Sequence, residues 1–231
     1  MSIIAIITAR SGSKRVPKKN IKLFMGQPII SYPISAALNT KIFDEVMVST
    51  DSEEFASIAK NFGAQVPFLR SEKNSNDTAS TFDAIEEVIT CYKERGKIFD
   101  YVCCIYPCSP FLTSKMLIQA YKNLENNDAV MPVCKYSPPI DWALTIDRNN
   151  TLSPLDRNKL NLRSQDITPK YFDVGMFYFC KISKMLEQKT LMPNKTYPFI
   201  INSKYCQDID TDEDWEIAEM KYKLFMTRQK P

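Results

Sequence analysis

The fold of this chain is decided by residues 3–20, which read IIAIITARSGSKRVPKKN. The first six residues are mostly β-branched and apolar, which is typical of a strand buried on both faces of a sheet. The residues that follow are polar and basic, with five cations in the ten positions from Arg10 to Lys19. Because ligands in parallel α/β sheets bind beyond the carboxyl ends of the strands, this loop predicts a binding site.

Strand-like apolar runs alternate with segments of helical period over most of the chain. The predicted strands span residues 3–8, 46–50, 65–69, 101–106, 129–133, 173–179 and 199–202. The predicted helices span residues 30–39, 53–62, 78–94 and 115–125, and a last helix begins at Thr211. This order predicts a single α/β domain over residues 1–231, with a mixed, mainly parallel sheet flanked by helices. Residues from about 135 to 172 carry several prolines and many polar residues, so we expect an excursion there.

The composition excludes several kinds of chemistry. The chain has no histidine, so it can build neither a Ser-His or Cys-His nucleophile pair nor a histidine-ligated zinc site. Its seven cysteines include no Cys-x-x-Cys spacing and are expected to be reduced and buried. The net charge of +3 does not indicate a nucleic-acid partner, and the cations concentrate in one loop. Catalysis must therefore use carboxylates, Lys, Arg, Tyr, Ser, Thr or a metal held by oxygen.

The apolar N-terminus is expected to be a buried strand and not a signal peptide. No basic residue precedes the apolar run, the run is short, and Arg10 ends it. No stretch reaches the roughly 18 apolar residues that a membrane span requires. We therefore expect a cytoplasmic protein with no membrane partner.

The basic loop is suited to a polyphosphate. Arg can bind phosphate oxygens in a bidentate manner, Lys supplies a compact point charge, and Ser and Gly can present backbone amides. The loop has neither the spacing of a Walker A motif nor the glycines of a dinucleotide fingerprint. The alternative is a solvated surface loop, but its position after a buried strand favours the phosphate site.

A pair of aspartates near the C-terminus is the second chemical signal. In residues 207–211 (QDIDT), Asp208 and Asp210 are two positions apart, so an extended backbone directs both carboxylates to one side. Two such carboxylates can share a hard cation, and Mg²⁺ commonly bridges a carboxylate and substrate phosphates. The alternative is a polar linker in which Asp210 helps to cap the terminal helix.

Short motifs accompany these two signals in order along nearly the whole chain. They are residues 43–51 (FDEVMVSTD), 68–70 (FLR), 76–81 (NDTAST), 106–111 (YPCSPF), 163–166 (RSQD), 173–175 (DVG) and 208–211 (DIDT). Together with residues 10–20, they resemble the acylneuraminate cytidylyltransferases, which make CMP-activated sialic acids. Within that family, residues 71–73 (SEK), 163–166 and 208–215 (DIDTDEDW) are most similar to the pseudaminic acid branch.

The resemblance implies transfer of CMP from CTP to the anomeric hydroxyl of a nonulosonic acid, with release of pyrophosphate. It also implies Mg²⁺, or Mn²⁺ in its place, a nucleotide-diphospho-sugar transferase-like fold, and a homodimer formed through residues 135–172. Tyr106 replaces the Gln of the family's Gln-Pro turn, and residues 173–175 replace its Pro-Asn-Gly segment. Both departures favour pseudaminic acid over N-acetylneuraminate, with synthesis of CMP-sialate or CMP-legionaminate as the alternatives.

The resemblance further implies roles for individual residues. The implied catalytic residues are Arg10, Lys19 and Asp210. The implied CTP-binding residues are Arg10, Ser13, Lys14, Lys19, Asn20, Arg70, Ala79 and Thr81. The implied sugar-binding residues are Tyr106, Arg163, Phe172 and Asp173, and the implied metal ligands are Asp208 and Asp210. The general base is either Asp210 or a metal-bound hydroxide.

Two other classes of protein share some of these features. A metal-dependent glycosyltransferase of related fold would keep the Asp-x-Asp pair, but a diphosphate sugar does not require so basic a loop after the first strand. A non-catalytic nucleic-acid binder would spread its cations over one face with interleaved aromatic residues. The concentration of cations in one loop favours the cytidylyltransferase.

Overall fold

The structure is a computed structural model that describes residues 1–227, in which eleven strands and six α-helices are assigned. The strands are β1 (Ile3–Thr8), β2 (Leu23–Phe24), β3 (Gln27–Pro28), β4 (Glu45–Ser49), β5 (Tyr101–Ile105), β6 (Ala129–Lys135), β7 (Leu144–Ile146), β8 (Leu152–Pro154), β9 (Tyr171–Asp173), β10 (Phe177–Lys181) and β11 (Thr196–Ile200). The helices are α1 (Ser31–Leu38), α2 (Glu53–Asn61), α3 (Thr81–Glu94), α4 (Ser114–Lys122), α5 (Ile182–Gln188) and α6 (Asp212–Thr227).

A seven-stranded sheet forms the centre of the molecule. Its order is β11-β6-β10-β5-β1-β4, and β9 pairs with β6 outside this path. β1 is parallel to both β4 and β5, and β11 is parallel to β6. β10 lies between β5 and β6 and is antiparallel to each, so β5 and β6 run in the same direction. Five strands therefore share one direction, which confirms the predicted mixed, mainly parallel sheet.

The alternation of side chains along β1 divides the core into two layers. Ile3, Ala5 and Ile7 pack into one cluster of buried residues, together with apolar side chains of α1, α2, α4 and α6. Ile4 and Ile6 pack into the other cluster, with side chains of α3 and α5. Because successive side chains of a strand point to opposite faces, an apolar run without alternation requires helices on both faces. The expectation of a sheet flanked by helices is confirmed.

Local capping fixes where several helices begin. Ser52 and Thr113 accept hydrogen bonds from the third residue of α2 and of α4, respectively. Ser80 and Asp83 form a reciprocal capping box, so α3 begins at Thr81 and not at residue 78 as the apolar pattern predicted. The loop before α3 is thereby free to line a cavity.

Other boundaries differ from the sequence predictions. The predicted strand 65–69 is wrong, because only a single bridge from Gln65 to Met47 forms there. The predicted strand 173–179 is interrupted: β9 ends at Asp173, Gly175 turns the chain with a left-handed φ of 64°, and β10 begins at Phe177. The helix α5 was not predicted, since its seven residues are too few to show a clear helical period.

The excursion predicted at 135–172 leaves the sheet after β6 and returns through β9. It contains the two-stranded hairpin β7–β8 and three short 3-10 helices. At its root, the carboxylate of Asp141 is buried and forms ion pairs with Lys159 and Lys170. These pairs hold the pKa of Asp141 down to about 2. The assignment of residues 1–231 to one domain stays a prediction, and residues 228–231 lie outside the described part of the chain.

All seven cysteines are free; five are buried, and Cys91 and Cys108 are partly exposed. Among the helices of residues 1–227, none combines the length and the apolar character needed to cross a bilayer.

Candidate active site

A cavity of about 750 Å³ lies beyond the carboxyl ends of β1 and β5, where the sequence placed a binding site. These strands are parallel neighbours, so the loops that follow them meet at one edge of the sheet. Five segments contribute to its wall, namely residues 8–20, 70–84, 106–108, 173–178 and 207–210. Most of the residues predicted to bind ligand are therefore collected in one place.

The basic loop is tied to the neighbouring strand. Ser11 donates from its backbone N and from Oγ to the two carboxylate oxygens of Asp51, at 2.8 and 2.6 Å. The backbone N of Ala9 donates to Ser49 O at 2.9 Å. Lys18 has a left-handed φ of 50°, which turns the chain into a 3-10 helix at Lys19–Ile21. The loop is thus fixed at both ends, while four of its five cations, Arg10, Lys14, Arg15 and Lys19, line the cavity.

Arg10, Lys14 and Asp77 form what we call the outer cluster. Arg10 Nη1 donates to Asp77 Oδ1 at 2.8 Å and to Asn76 O at 3.1 Å, and Lys14 Nζ donates to the other oxygen of Asp77. The hydrogen bonds from Lys14 and Arg10 hold the pKa of Asp77 below its usual value. Two cations predicted to bind CTP are therefore paired with a carboxylate of the chain itself.

Lys19, Asp208 and Asp210 form what we call the inner cluster. Lys19 Nζ donates to Ile209 O at 2.5 Å and to Asp210 Oδ1 at 3.2 Å. Arg15 Nη2 lies 2.9 Å from the second oxygen of Asp210. Burial raises the pKa of Asp208, and the charge of Asp210 raises it further, while Lys19 opposes both effects. The inner cluster thus contains two carboxylates close enough to repel each other.

The carboxylates of the inner cluster fit a divalent cation. The terminal helix is capped by Thr211 and Asp214, whose backbone N–H groups donate to each other's side chains, so Asp210 is not needed as the cap. Repulsion between two carboxylates is the condition that a hard cation relieves. Within residues 1–227, no group of three or more His, Cys, Asp or Glu side chains could hold a metal. The donor set therefore suits Mg²⁺ that takes its remaining ligands from water and phosphate.

The part of the cavity that is predicted to bind the nucleotide contains Arg70 and Thr81. Arg70 is only 8% exposed; its Nε donates to Ser49 Oγ at 2.9 Å, and its Nη2 donates to Ser49 O. Burial lowers the pKa of this guanidinium from its usual value. Thr81 Oγ1 lies 3.2 Å from the hydroxyl oxygen of Tyr106. The structure brings Ser13, Asn20 and Ala79 to the same cavity, and their binding of CTP stays a prediction.

An adjoining part of the wall is aromatic and contains the carboxylate of Asp173. The rings of Tyr106 and Tyr178 meet edge to face, with centroids 5.6 Å apart. Asp173 accepts from the Tyr178 hydroxyl at 2.6 Å and from the backbone N of Gly175 at 2.8 Å. Burial raises the pKa of both tyrosines, and the carboxylate of Asp173 raises that of Tyr178 further. Both hydroxyls therefore stay protonated, and Asp173 is held in a fixed orientation.

Two of the predicted sugar-binding residues do not reach this cavity within a single chain. Phe172 packs against Tyr136, with ring centroids 5.0 Å apart. It precedes Asp173 on β9, and adjacent residues of a strand point to opposite faces, so Phe172 points away when Asp173 faces the cavity. Arg163 is exposed on the excursion, at the start of the 3-10 helix Ser164–Asp166. Neither residue lines the cavity of its own chain, and a role of either toward the sugar stays a prediction.

Sequence reasoning missed four residues of the site or its support: Asp51, Asp77, Cys108 and Tyr178. Asp51 directly follows a predicted strand, a position that indicates a role at the carboxyl edge. Asp77 and Cys108 lie inside quoted motifs, but nothing in their spacing shows that one pairs with the basic loop and the other with Asn20. Tyr178 gave no sequence signal, because the turn at Gly175 decides which face of β10 it occupies.

Comparisons with known proteins agree with this geometry. A family model described as cytidylyltransferase matches residues 4–227. The chain is 37% identical, over 97% of each sequence, to a pseudaminic acid cytidylyltransferase from Campylobacter jejuni. It is 33% identical, again over 97% of each, to a CMP-N,N'-diacetyllegionaminic acid synthase from Legionella pneumophila. The solved structure of a CMP:2-keto-3-deoxy-manno-octonic acid synthetase with CTP superposes with a TM-score of 0.69 at 17% identity, covering 99% of this chain and 100% of that one.

Proposed function

The chain belongs to the cytidylyltransferase family, and from this membership we propose that it transfers CMP from CTP to a nonulosonic acid, with pseudaminic acid as the preferred acceptor. One observation carries the proposal. A single cavity joins a loop of cations, a pair of carboxylates suited to Mg²⁺, and a wall of two tyrosines and an aspartate. These three features correspond to the triphosphate, the metal and the sugar of the reaction.

The reaction requires positioning and charge more than covalent chemistry. The anomeric oxygen of the sugar forms a bond to the α-phosphorus of CTP, and the bond from that phosphorus to the bridging oxygen breaks, so that pyrophosphate leaves. Negative charge grows on the phosphoryl oxygens during this exchange. Lys19 and Arg10 stand on the cavity wall where they stabilise this charge, and Lys14 and Ser13 bind the outer phosphates. A chain with no histidine can perform such a reaction.

The inner cluster supplies the place for a metal ion. Asp208 and Asp210 would hold Mg²⁺, or Mn²⁺ in its place, through carboxylate oxygens, which are the ligands these hard ions prefer. When bound, such an ion neutralises charge on the phosphates and acts as a Lewis acid. Lys19 already contacts Asp210, so the cation that stabilises the phosphoryl group and the metal ligand are held in fixed relation. We further propose Asp210, which lines the cavity, as a candidate base to accept the proton of the sugar hydroxyl.

The preference for pseudaminic acid rests on the aromatic wall. Tyr106 stands where sialate enzymes place Gln, and it offers a ring and one hydroxyl in place of a carboxamide. Asp173 is held by Tyr178 and Gly175, so it offers a fixed negative charge that accepts hydrogen bonds from the sugar and repels the carboxylate of the sugar. The sugar is therefore oriented with its carboxylate toward the cations. The higher identity to the pseudaminic acid enzyme supports the same acceptor.

A homodimer is the second part of the proposal. The hairpin β7–β8 and the residues after it expose large apolar side chains: Leu144 is 51%, Ile146 69%, Leu152 58% and Leu155 65% exposed. A contiguous exposed apolar patch of this kind is typical of an interaction surface. Pairing of two excursions would cover it and would place Arg163 near the partner's cavity. Light scattering on the purified protein should give twice the mass of one chain, whereas a monomer would contradict the proposal.

The cell compartment is the third part. Seven free cysteines suit a reducing environment, and CTP is a cytoplasmic metabolite, so we propose that the enzyme acts in the cytoplasm. Fractionation of cells that express a tagged chain tests this, and recovery of the chain from an oxidising compartment would contradict it.

A direct assay tests the activity. Purified protein with CTP, Mg²⁺ and a panel of nonulosonic acids should release pyrophosphate, detected as phosphate after pyrophosphatase. Pseudaminic acid should be used far better than N-acetylneuraminate at equal concentration, and CTP far better than UTP or ATP. Preference for N-acetylneuraminate would overturn the acceptor but keep the reaction. Equal use of the three nucleotides would overturn the assignment of the nucleotide site.

A further inference from the structure

The side-chain amide of Asn20 is held from two sides on the cavity wall. Asn20 is 6% exposed, and its Nδ2 donates to Arg10 O at 2.8 Å. Its Oδ1 accepts from Cys108 Sγ, which lies 3.3 Å away. Cys108 belongs to the loop that follows β5, whereas Asn20 belongs to the loop that follows β1. The contact with Cys108 therefore joins the two loops, whereas the contact with Arg10 lies within the loop that follows β1.

These contacts determine how the amide is oriented. A carboxamide has two N–H donors on nitrogen and an acceptor oxygen. The reversed orientation would place Oδ1 against the carbonyl oxygen of Arg10, where two acceptors repel each other. In the observed orientation, the thiol satisfies Oδ1 and the backbone of Arg10 takes one N–H. Among the described residues, Nδ2 has no second acceptor within hydrogen-bond distance, and Asn20 lines the cavity.

We infer that Cys108 is a positioning residue for CTP, which holds the Asn20 amide so that its second N–H points at an acceptor oxygen of the nucleotide. The inference rests on the proposed function, because it takes CTP as the ligand of this cavity. With the thiol engaged at Oδ1, the amide can offer the nucleotide only a donor. Without the thiol, Oδ1 would be a buried acceptor lacking a partner, and the amide would rotate or recruit water.

The chemical state of Cys108 agrees with a donor role. Burial raises the pKa of the Cys108 thiol to about 12, and the carboxylates of Asp208 and Asp210 add to this, while Lys19 acts against it. The sulfur therefore carries its hydrogen and can donate. The motif that surrounds residue 108 resembles a Gln-Pro-Thr-Ser-Pro turn, in which a threonine hydroxyl would stand at the same place. A hydroxyl and a thiol share the ability to donate one hydrogen bond.

A pair of substitutions of nearly equal shape tests the inference. Cys108→Thr keeps a donor, and Cys108→Val removes it with almost the same side-chain volume. We expect Cys108→Val to raise the KM for CTP by roughly fivefold to tenfold, the effect of losing one buried hydrogen bond, with kcat within about twofold of wild type. Cys108→Thr should stay within about twofold in both. Cys91→Ala, a partly exposed cysteine outside the cavity, is the control for general effects of removing a thiol.

A double-substitution cycle decides whether Cys108 acts through Asn20. If it does, Cys108→Val combined with Asn20→Ala should be no worse than Asn20→Ala alone, because the amide that the thiol holds is gone. The inference would be overturned if the two substitutions multiplied their effects on the KM for CTP. It would also be overturned if Cys108→Thr and Cys108→Val raised this KM equally. If the valine variant does not fold, Cys108→Ala with Cys108→Ser gives the same comparison.

The nucleotide can be measured apart from the reaction. Calorimetric titration with CTP and Mg²⁺ requires no sugar, so it reports the Cys108 effect even if the acceptor has been misassigned. Tight CTP binding that the valine variant weakens, without pyrophosphate release from any nonulosonic acid, would retain the inference and overturn the proposed acceptor. If the wild type turns over and both variants bind CTP equally well, the proposed function is retained and the inference about Cys108 is overturned.

Discussion

The outer and inner clusters contain the same kinds of groups but differ in exposure. In the outer cluster, the side chains of Arg10, Lys14 and Asp77 are 41%, 81% and 51% exposed. In the inner cluster, those of Lys19 and Asp210 are 21% and 33% exposed. Ion pairs in solvent contribute little and are screened by salt, whereas partly buried charges interact more strongly and are costly to leave without a partner.

This difference is expected to separate binding of the nucleotide from catalysis of its reaction. Asp77 occupies the cations of the outer cluster through exposed pairs that a triphosphate can replace at little cost. The inner cluster keeps its geometry, because Lys19 is also bound to the backbone at Ile209 and Asp208 is partly buried. Preorganised charge is what stabilises a transition state. Preorganisation predicts that changes to the inner cluster lower kcat, and the exposed pairs predict that changes to Lys14 and Asp77 of the outer cluster alter KM.

The largest effect is expected from removing the metal or Asp210. EDTA should abolish pyrophosphate release, and Mg²⁺ or Mn²⁺ should restore it, because an ion that neutralises phosphoryl charge contributes several kcal/mol. Asp210→Asn should lower kcat on the order of a thousandfold for the same reason. Circular dichroism serves to show that the variant still folds. Turnover that survives both treatments would mean that the two aspartates hold no metal.

The second effect concerns Lys19, for which the neighbouring Lys18 is a matched control. Lys19→Ala should reduce kcat roughly a hundredfold, about 3 kcal/mol, with a smaller change in CTP binding, because the charge it stabilises is greatest in the transition state. Lys18 pairs with Glu54, and it does not line the cavity, so Lys18→Ala should keep near-normal turnover. Steady-state kinetics on both variants measures the contrast. Equal and small losses of kcat in the two variants would show that Lys19 is only a solvated surface cation.

The smallest effect is expected from Asp77. Asp77→Asn should lower the KM for CTP by about twofold to threefold at low salt, since an exposed competitor for Arg10 and Lys14 is weakened. The gain should shrink as salt rises, because screening weakens the exposed pairs first. Glu54→Gln, which weakens a similar exposed pair outside the cavity, should leave KM unchanged. A higher KM in Asp77→Asn would show that this residue organises the loop for CTP and does not compete with it.

The sheet could be predicted from sequence where the apolar pattern was complete. β1 is flanked by β4 and β5, and its six residues leave no choice but burial on both faces. The pattern failed at residues 65–69, since a short apolar run also suits a segment that forms one bridge. It also failed between β9 and β10, where Gly175 reverses the backbone. The periodicity of apolar residues does not reveal that one residue adopts a positive φ.

The candidate site was predicted unevenly for a similar reason. Cations and carboxylates are recognised from residue type alone, so the sequence was sufficient to predict the basic loop and the aspartate pair. Their partners were not found, because Asp77 meets Arg10 across 67 positions, and Asp210 meets Lys19 across 191. Such long-range pairs depend on which strand ends are neighbours. The role implied for Arg163 stays a prediction, because Arg163 does not line the cavity of its own chain and the resemblance does not say whether one chain alone forms the sugar site.

The turn at Gly175 has a consequence for how enzymes of this kind could change their acceptor over evolutionary time. Its φ of 64° strains any other residue, and the Tyr106 ring lies 4.0 Å from where a Cβ would stand. The Asp-Val-Gly of this chain resembles the Pro-Asn-Gly of the sialate enzymes and has the same glycine. The glycine of the turn is therefore constant in this comparison, whereas the two positions before it differ. Substitutions at Asp173 and Val174 would change the wall that is proposed to face the sugar while leaving the turn at Gly175 in place.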